Sequence, residues 1–354
     1  YNKLMNMKKN GFGLILADDM GLGKTIQIIT LLLGCKNKEK PSLIICPSSL
    51  ILNWKKELNN FGPTLSVLTL NQEGEKRKNK FEEIEKFDVI VTSYELLKRD
   101  SDLYKKFEFE NFILDEAQYI KNSNTQNFIT AKSIKAETRI ALTGTPIENS
   151  LSELWSIMDF IAPGYLSTYK SFSRKFEVPI VIEENEEVLD ILKKLCEPFI
   201  LRRLKKDVLK ELPEKSEKFL YGEMTAKQKE VYESNLLAIK EDMIGGTEKY
   251  SSIKILSVLM KLRQIANDPN LIYPKYDGGS VKLEMAIDII EGALKTNTKV
   301  LLFSQFTSML EIIKNELEVR GVDYFLLTGS TKKDKRHEMA ESFNKDDTPV
   351  FLIS

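Results

Sequence analysis

The stretch Leu14-Ile-Leu-Ala-Asp-Asp-Met-Gly-Leu-Gly-Lys-Thr-Ile-Gln-Ile-Ile-Thr30 restricts what this chain can fold into more than any other. The apolar run Leu14 to Ala17 reads as a buried strand. A glycine-bearing turn follows, Gly21-Leu22-Gly23, and Lys24-Thr25 then opens an apolar helical pattern that runs through Leu33. Strand, Gly-Lys-Thr loop and helix in that order form the setting in which a chain wraps phosphate. The glycines let backbone N–H groups turn on an anion, and the helix N-terminus adds partial positive charge. Lys24 is placed to reach the β- and γ-phosphates and the Thr25 hydroxyl to hold Mg²⁺. The strict pattern has glycine at position 18, where this chain carries Asp18, so the loop calls for a second witness further along.

Composition narrows the chemistry. The 354 residues suffice for two domains, and 42% hydrophobic with 29% charged residues is a globular balance. No apolar run approaches the ~20 residues of a membrane span, and the polar opening Tyr1-Asn-Lys-Leu has no signal-peptide character. Opening on Tyr1 and closing on Pro349-Val-Phe-Leu-Ile-Ser354 suggests that both ends are cuts. Lys+Arg and Asp+Glu number 52 each, so nucleic-acid binding needs local patches, not global charge. Cys35, Cys46 and Cys196 are scattered in apolar contexts and read as reduced core residues. His337 is the only histidine and reads as a surface residue. Histidine triads and multi-histidine metal sites are thereby excluded, and carboxylates, Lys, Arg, hydroxyls and a bound metal must carry the chemistry.

Short apolar strands alternate with helical patterns through the first 150 residues. Leu43–Cys46, Leu65–Leu70, Phe87–Thr92, Phe112–Leu114 and Arg139–Thr143 are the expected strands, several of them ending at a polar motif. Ser48 or Ser49 can cap the helix that carries Trp54, Leu58 and Phe61. Glu73–Lys86 reads as a solvated surface helix anchored by Phe81 and Ile84. From Glu153 to about Pro274 helical periodicity dominates, and after the break Asp277-Gly-Gly-Ser280 the α/β rhythm resumes with strands at Lys299–Phe303, Tyr324–Leu327 and Val350–Ile353. This is a doubly wound α/β pattern with ligands at the carboxyl edge of a parallel sheet. The expected division is 1–152 for the first lobe, 153–275 for a mainly helical insertion, and 276–354 for the opening part of a second lobe.

The second witness is Ile113-Leu-Asp115-Glu116, at the end of what is expected to be the neighbouring strand. A carboxylate there can hold the Mg²⁺ that Thr25 touches, and the next can orient or deprotonate the attacking water. Alone, Asp-Glu reads as a solvated turn and Lys24 as an ordinary helix-start lysine; together, some 90 residues apart in a strand–loop–helix frame, they read as a nucleotide site.

Met20-Gly-Leu-Gly-Lys-Thr25, Asp115-Glu-Ala-Gln118 and Leu142-Thr-Gly-Thr-Pro146 together resemble motifs I, II and III of superfamily 2 helicase-like ATPases, closest in wording to the SWI/SNF-type DNA translocases. That family's motif I carries an acidic-Met-Gly-Leu phrase in place of the strict glycine, which accounts for Asp18. Cys46-Pro-Ser-Ser-Leu50 with Asn53-Trp54, Val91-Thr-Ser-Tyr94, Pro198-Phe-Ile-Leu-Arg-Arg203, Leu262-Arg-Gln-Ile-Ala-Asn-Asp-Pro269, Leu302-Phe-Ser-Gln305 and Leu327-Thr-Gly329 resemble further phrases of the family, so the likeness covers essentially the whole chain. It implies an α/β fold of RecA-like P-loop NTPase lobes with helical insertions, the second lobe represented by its first half, in a bacterial-type protein.

The resemblance also assigns residues. Asp19, Met20, Gly21, Leu22, Gly23, Lys24, Thr25 and Gln118 would bind ATP, Thr25 and Asp115 would hold Mg²⁺, and Lys24, Asp115 and Glu116 would carry catalysis, with Glu116 activating water. Gln118, Thr143 and Thr145 would couple nucleotide state to DNA contact. Ser48, Thr92, Ser93, Ser304, Gln305, Thr328 and Gly329 would lie along the DNA backbone, where small donors touch phosphate without reading bases; taken singly, such hydroxyls cap helices. Arg202-Arg203-Leu-Lys205-Lys206 reads as a DNA-facing patch or a solvated face, with an inter-lobe structural role preferred; Trp54 and Trp155 read as core.

The implied function is a DNA-dependent ATPase, a monomer that tracks along double-stranded DNA and remodels bound proteins, in a cytoplasmic setting with a nuclear one left open. A strand-separating helicase and a nucleotide-gated module acting on RNA polymerase or another partner are the alternatives. Motif II ends in Gln118 where histidine is more familiar. The family's adenine-reading motif is expected before Tyr1 and its arginine finger beyond Ser354, so this stretch alone is expected to bind Mg-ATP weakly and hydrolyse it hardly at all.

Overall fold

The computed structural model describes residues 2–35, 40–71, 74–144, 150–208, 211, 216–245 and 252–354. The chain forms two compact units, 1–214 and 215–354. The division falls inside the helical stretch: the helices Leu151–Ile161 and Glu186–Cys196 belong to the first unit, Ala226–Gly245 and Ser252–Asn267 to the second.

In the first unit seven strands form one parallel sheet. They are β1 (Leu14–Leu16), β2 (Ser42–Cys46), β3 (Val67–Thr69), β4 (Val89–Ser93), β5 (Glu108–Leu114), β6 (Lys135–Leu142) and β7 (Ile200–Leu201), in the order β3-β4-β2-β5-β6-β1-β7. β2 is buried along its whole length, as a strand covered by helices on both faces must be. Alternate side chains feed two cores. Ile15, Ile45, Phe112 and Leu114 pack toward the helix Leu151–Ile161 on one face, and Leu16, Ile44 and Ile113 toward the helices Lys24–Gly34 and Ile51–Phe61 on the other.

Three local expectations are corrected. β5 starts four residues earlier than its apolar run, because its polar residues find partners: Lys8 Nζ donates to Glu110 Oε1 at 2.5 Å and Asn111 Nδ2 to Ser42 Oγ at 2.8 Å. β7 lies in the stretch that reads as helical, since two residues are too few to show a period; Ile15 pairs with Ile200 and Leu16 with Leu201. The segment read as a solvated helix is a short helix, Glu75–Asn79, continued by a 3₁₀ turn, Lys80–Lys86. Phe81 and Ile84 are buried as expected, but so is Arg77, whose Nε donates to Asp100 Oδ2 at 2.6 Å.

In the second unit β8 (Val300–Phe303), β9 (Tyr324–Leu327) and β10 (Val350–Ile353) form a parallel sheet in the order β8-β10-β9. Helices Val281–Lys295 and Thr307–Val319 cover it through Ile287, Ile290, Leu310, Ile313 and Leu317. Ser280, at the Gly-Gly break, caps the first of these by accepting from Leu283 N at 3.3 Å. Cys46 and Cys196 are buried, and all three cysteines are free thiols. No described helix is long and apolar enough to cross a membrane. The His337 side chain lies outside the described residues.

Candidate active site

The phosphate loop leaves β1 at Ala17 and returns as the helix Lys24–Gly34. Gly21 and Gly23 take φ of 85° and 73°, left-handed values that an L side chain adopts only at a cost. Lys24 Nζ donates to the Asp18 carbonyl at 2.7 Å. The Asp18 side chain is fully buried and meets Arg203, whose Nε donates to Oδ1 at 3.1 Å and whose Nη2 donates to Oδ2. Gln27 Nε2 also donates to Asp18 Oδ2, at 3.0 Å. Burial pushes the Asp18 carboxyl up, but the Arg203 and Gln27 hydrogen bonds and the Arg203 charge outweigh it and hold the group below its ordinary value. A carboxylate with a depressed folded pKa contributes stability that is present above its unfolded value, about 4, and is lost as pH falls through the folded one. Asp18→Asn is therefore expected to flatten the acid side of the melting-temperature profile below about pH 4 relative to wild type.

The strand order corrects one expectation. Asp115 does not follow the strand next to β1: β6 lies between β1 and β5, pairing Ile140 with both Leu14 and Ile113. β6 thereby inserts Thr143 between the phosphate loop and the Asp-Glu pair, with Thr143 N donating to the Leu16 carbonyl at 3.1 Å. Three polar motifs now end on adjacent strands of one sheet edge.

Asp115 is held from three sides. Trp54 Nε1 donates to Oδ2 at 2.8 Å, Glu116 N to Oδ1 at 3.0 Å, and the buried Tyr94 hydroxyl to the main-chain carbonyl at 2.8 Å. Tyr94 stacks on Tyr119, ring centroids 4.8 Å apart. Burial pushes the Asp115 carboxyl up and Glu116 adds to this, while the Trp54 hydrogen bond and the Lys24 charge act downward. Glu116 sits at φ 52°, off the strand direction, and Gln118 Nε2 donates to its Oε2 at 2.7 Å. Thr143 Oγ1 donates to Gln118 Oε1 at 3.5 Å, so a chain of side chains runs from the end of β6 to Glu116. Met20 lies against Gly144, where an added Cβ would meet its Cε at 3.4 Å.

Trp54, read from sequence as core, is buried, but its indole N–H belongs to this site. Trp54→Phe keeps the ring and removes the donor, so one Asp115 oxygen loses a partner, a loss of about 1 to 1.5 kcal/mol. The expected result is a melting temperature lower by ~2–4 °C, read by thermal denaturation of the variant beside wild type.

The remaining first-unit candidates are placed as follows. Ser48 begins a 3₁₀ turn, Ser48–Leu50, and neither serine caps the helix Ile51–Phe61 through its side chain, because Leu50 N already closes the turn on the Pro47 carbonyl at 2.8 Å. Thr92 is buried with its hydroxyl donating to the Leu70 carbonyl at 2.9 Å, and Ser93 caps the next helix by accepting from Leu96 N at 3.3 Å. Ser93 pairs in register with Cys46, so these residues share the edge beside Ser48. Thr145 lies outside the described residues. Asp19 Oδ2 accepts from Lys205 N at 2.9 Å. Thr25 lies in the first turn of the loop's helix.

In the second unit Ser304 follows β8, accepts from Phe306 N at 3.1 Å and is tied to β10 through Ser304 N and the Ile353 carbonyl at 3.0 Å. Gln305 Oε1 accepts from Arg263 Nη2 at 2.7 Å, and the Arg263 guanidinium lies over the Phe306 ring. Thr328 and Gly329 follow β9; their carbonyls accept from Arg336 Nη2 at 3.2 and 2.9 Å. Sequence reasoning missed Arg203, Arg263 and Arg336 as organisers of these loops. The first two stand in the phrases Pro198–Arg203 and Leu262–Pro269, which carried the signal without its meaning.

The donor set at the first edge is hard and sparse: one hydroxyl, Thr25, and one half-buried carboxylate, Asp115. Among the described residues no group of three or more His, Cys, Asp or Glu side chains is gathered to hold a metal alone. Such a set suits an ion that arrives on phosphate oxygens and takes one or two protein ligands.

Residues 2–271 match the SNF2-related domain and residues 281–354 the helicase conserved C-terminal domain. An uncharacterized ATP-dependent helicase of Mycoplasma pneumoniae is 36% identical over 358 residues, covering 99% of this chain and 34% of its own length. A putative ATP-dependent helicase/translocase of Bacillus subtilis is 36% identical over 365 residues, covering all of this chain and 40% of its own length. The chain thus spans between a third and two fifths of these relatives. Among solved structures, the Sulfolobus solfataricus SWI2/SNF2 ATPase core in complex with double-stranded DNA aligns over the whole chain and 76% of its own, with 37% identity and a TM-score of 0.57.

Proposed function

This chain belongs to the SNF2-related family, and from that premise we propose that the intact protein is an ATP hydrolase driven by double-stranded DNA, along which it moves. The observation that carries the reading is the single sheet edge on which the phosphate loop, Asp115-Glu116 and Thr143 meet, with Glu116 linked through Gln118 to Thr143. In this reading loop amides and Lys24 take the phosphates of ATP, with Asp19 to Gly23 shaping the loop around them. Thr25 and Asp115 would hold Mg²⁺, which would supply charge neutralisation on the phosphate oxygens. Glu116 orients a water molecule and accepts its proton as the water oxygen bonds to the γ-phosphorus; the bond to the β–γ bridging oxygen breaks, and ADP and phosphate leave.

Gln118 and Thr143 then form the coupling element. Loss of the γ-phosphate changes what Glu116 faces, and the Gln118 bond passes that change to the end of β6. Thr145 is assigned to the same element by the resemblance alone. Ser48, Thr92 and Ser93 in the first unit and Ser304, Gln305, Thr328 and Gly329 in the second line the duplex backbone; where a hydroxyl is engaged within the fold, as at Thr92, the contact falls to the loop around it. The Sulfolobus core, bound to double-stranded DNA, is the neighbour that supports this choice of partner. The same reading has the protein act as a monomer in the cytoplasm and displace a DNA-bound protein.

The test separates movement from strand separation. The intact protein is expected to displace a third strand from a triplex in an ATP-dependent manner and to leave a forked duplex paired. Unwinding of the fork without triplex displacement would assign a helicase instead.

A further inference from the structure

We propose that Arg203 is a positioning residue for the phosphate loop, and that residues 201–205 form a strap that keeps the loop in the shape that accepts a nucleotide. The inference rests on the nucleotide reading above and goes beyond it by assigning a role to a segment some 185 residues from the loop.

Contacts along the strap alternate with those along the loop. Ala17 N donates to the Leu201 carbonyl at 2.7 Å, Asp19 N to the Arg203 carbonyl at 3.0 Å, and Lys205 N to Asp19 Oδ2 at 2.9 Å. Between them the Arg203 guanidinium takes both Asp18 oxygens and donates from Nη2 to Gln27 Oε1 at 2.7 Å. The Lys205 side chain lies over Gly21, its Nζ 3.3 Å from where a Cβ would stand. Every residue from Ala17 to Asp19 is therefore tied to the strap by main chain, side chain or both.

Asp18 is the pivot. Its carbonyl receives the Lys24 ammonium and its carboxylate receives Arg203, so the two cations hold one residue, one by its main chain and one by its side chain. With glycine at this position the loop would close without a side chain to anchor. Here a fully buried carboxylate stands there instead, and such a group needs a charged, hydrogen-bonded partner. Without Arg203 the carboxylate must take up a proton or move toward water. Either response shifts the Asp18 carbonyl and with it Lys24, the group assigned to phosphate. Arginine suits the role because its planar fork spans both oxygens while leaving an N–H for Gln27.

The test is ATP binding and turnover by the intact protein, measured well below its melting temperature, for wild type, Arg203→Ala, Arg203→Lys, Asp18→Gly and Asp18→Gly with Arg203→Ala. Arg203→Ala is expected to raise the ATP dissociation constant and KM about tenfold or more, while kcat at saturating ATP stays within about threefold. Arg203→Lys restores part of the loss, since a single ammonium cannot bridge both oxygens and Gln27. In the Asp18→Gly background, Arg203→Ala adds nothing, because the buried charge it served has gone. Wild-type affinity in Arg203→Ala, or an equal loss in both backgrounds, would overturn the proposal. If Arg203→Ala fails to fold, Arg203→Lys in the wild-type and Asp18→Gly backgrounds decides between the same two outcomes. Wild type that binds no ATP would overturn the nucleotide reading and the strap's role together, an outcome distinct from variants that match a binding-competent wild type.

Discussion

Glu116→Gln is expected to lower ATP hydrolysis by the intact protein about 10²- to 10⁴-fold, the usual contribution of a positioned general base, while ATP still binds. The side-chain shape is kept, and the amide can still meet Gln118, so the local fold has no reason to change. What is lost is the ability to accept a proton from water. Asp115 also loses the like charge that helps push its carboxyl up, which favours its ionised, metal-holding form. ATP affinity should therefore be equal to wild type or tighter. Single-turnover hydrolysis beside equilibrium ATP binding reads both quantities. A turnover within a few-fold of wild type would remove Glu116 from the chemistry.

Lys24→Ala acts on the other half of the site. The ammonium has three donors, and the Asp18 carbonyl uses one of them. The others are available to phosphate, and charge-assisted bonds of this kind contribute about 1.5 to 3 kcal/mol, or about 10- to 150-fold in affinity. Loss of one bond to a neutral carbonyl is a small matter for the fold, so the melting temperature should stay near wild type while calorimetric ATP affinity collapses. An unchanged affinity would place the phosphates elsewhere.

The two variants divide the site into binding and chemistry, and that division follows local sequence closely. β1, β5 and β6 each end at a motif legible in the chain itself, because a strand, its loop and the next helix are contiguous. β9 and β10 fall where the apolar runs place them. The sequence was silent wherever a contact joins distant segments. Trp54 reaches Asp115 across 61 positions and Arg203 reaches Asp18 across 185, and no periodicity encodes such pairs. The order of strands was equally hidden, so the insertion of β6 between β1 and β5 emerged only from the sheet. Polar residues misled twice, since Glu110 and Asn111 extend a strand and Arg77 is buried, each with a partner that the local pattern does not reveal.

Arg203, Arg263 and Arg336 have a role in common. Each is an arginine that holds a strand-end loop through a side chain or carbonyls of that loop. Basic residues near a site invite assignment to DNA, yet these three have intramolecular partners. These three cations are turned inward and are not available to a polyanion, so under the proposed function contact with DNA falls to other groups, backbone donors and small hydroxyls among them.

Coupling between duplex DNA and nucleotide chemistry at the edge formed by β1, β5 and β6 is the core of the proposed function. It is read from ATP hydrolysis by the intact protein, titrated with double-stranded DNA. Turnover should rise at least about tenfold to a plateau, more with duplex than with single strands or RNA, and vanish in Glu116→Gln, where the barrier gains about 3 to 5 kcal/mol. Turnover that ignores duplex DNA, or a DNA response that survives Glu116→Gln, would refute that coupling.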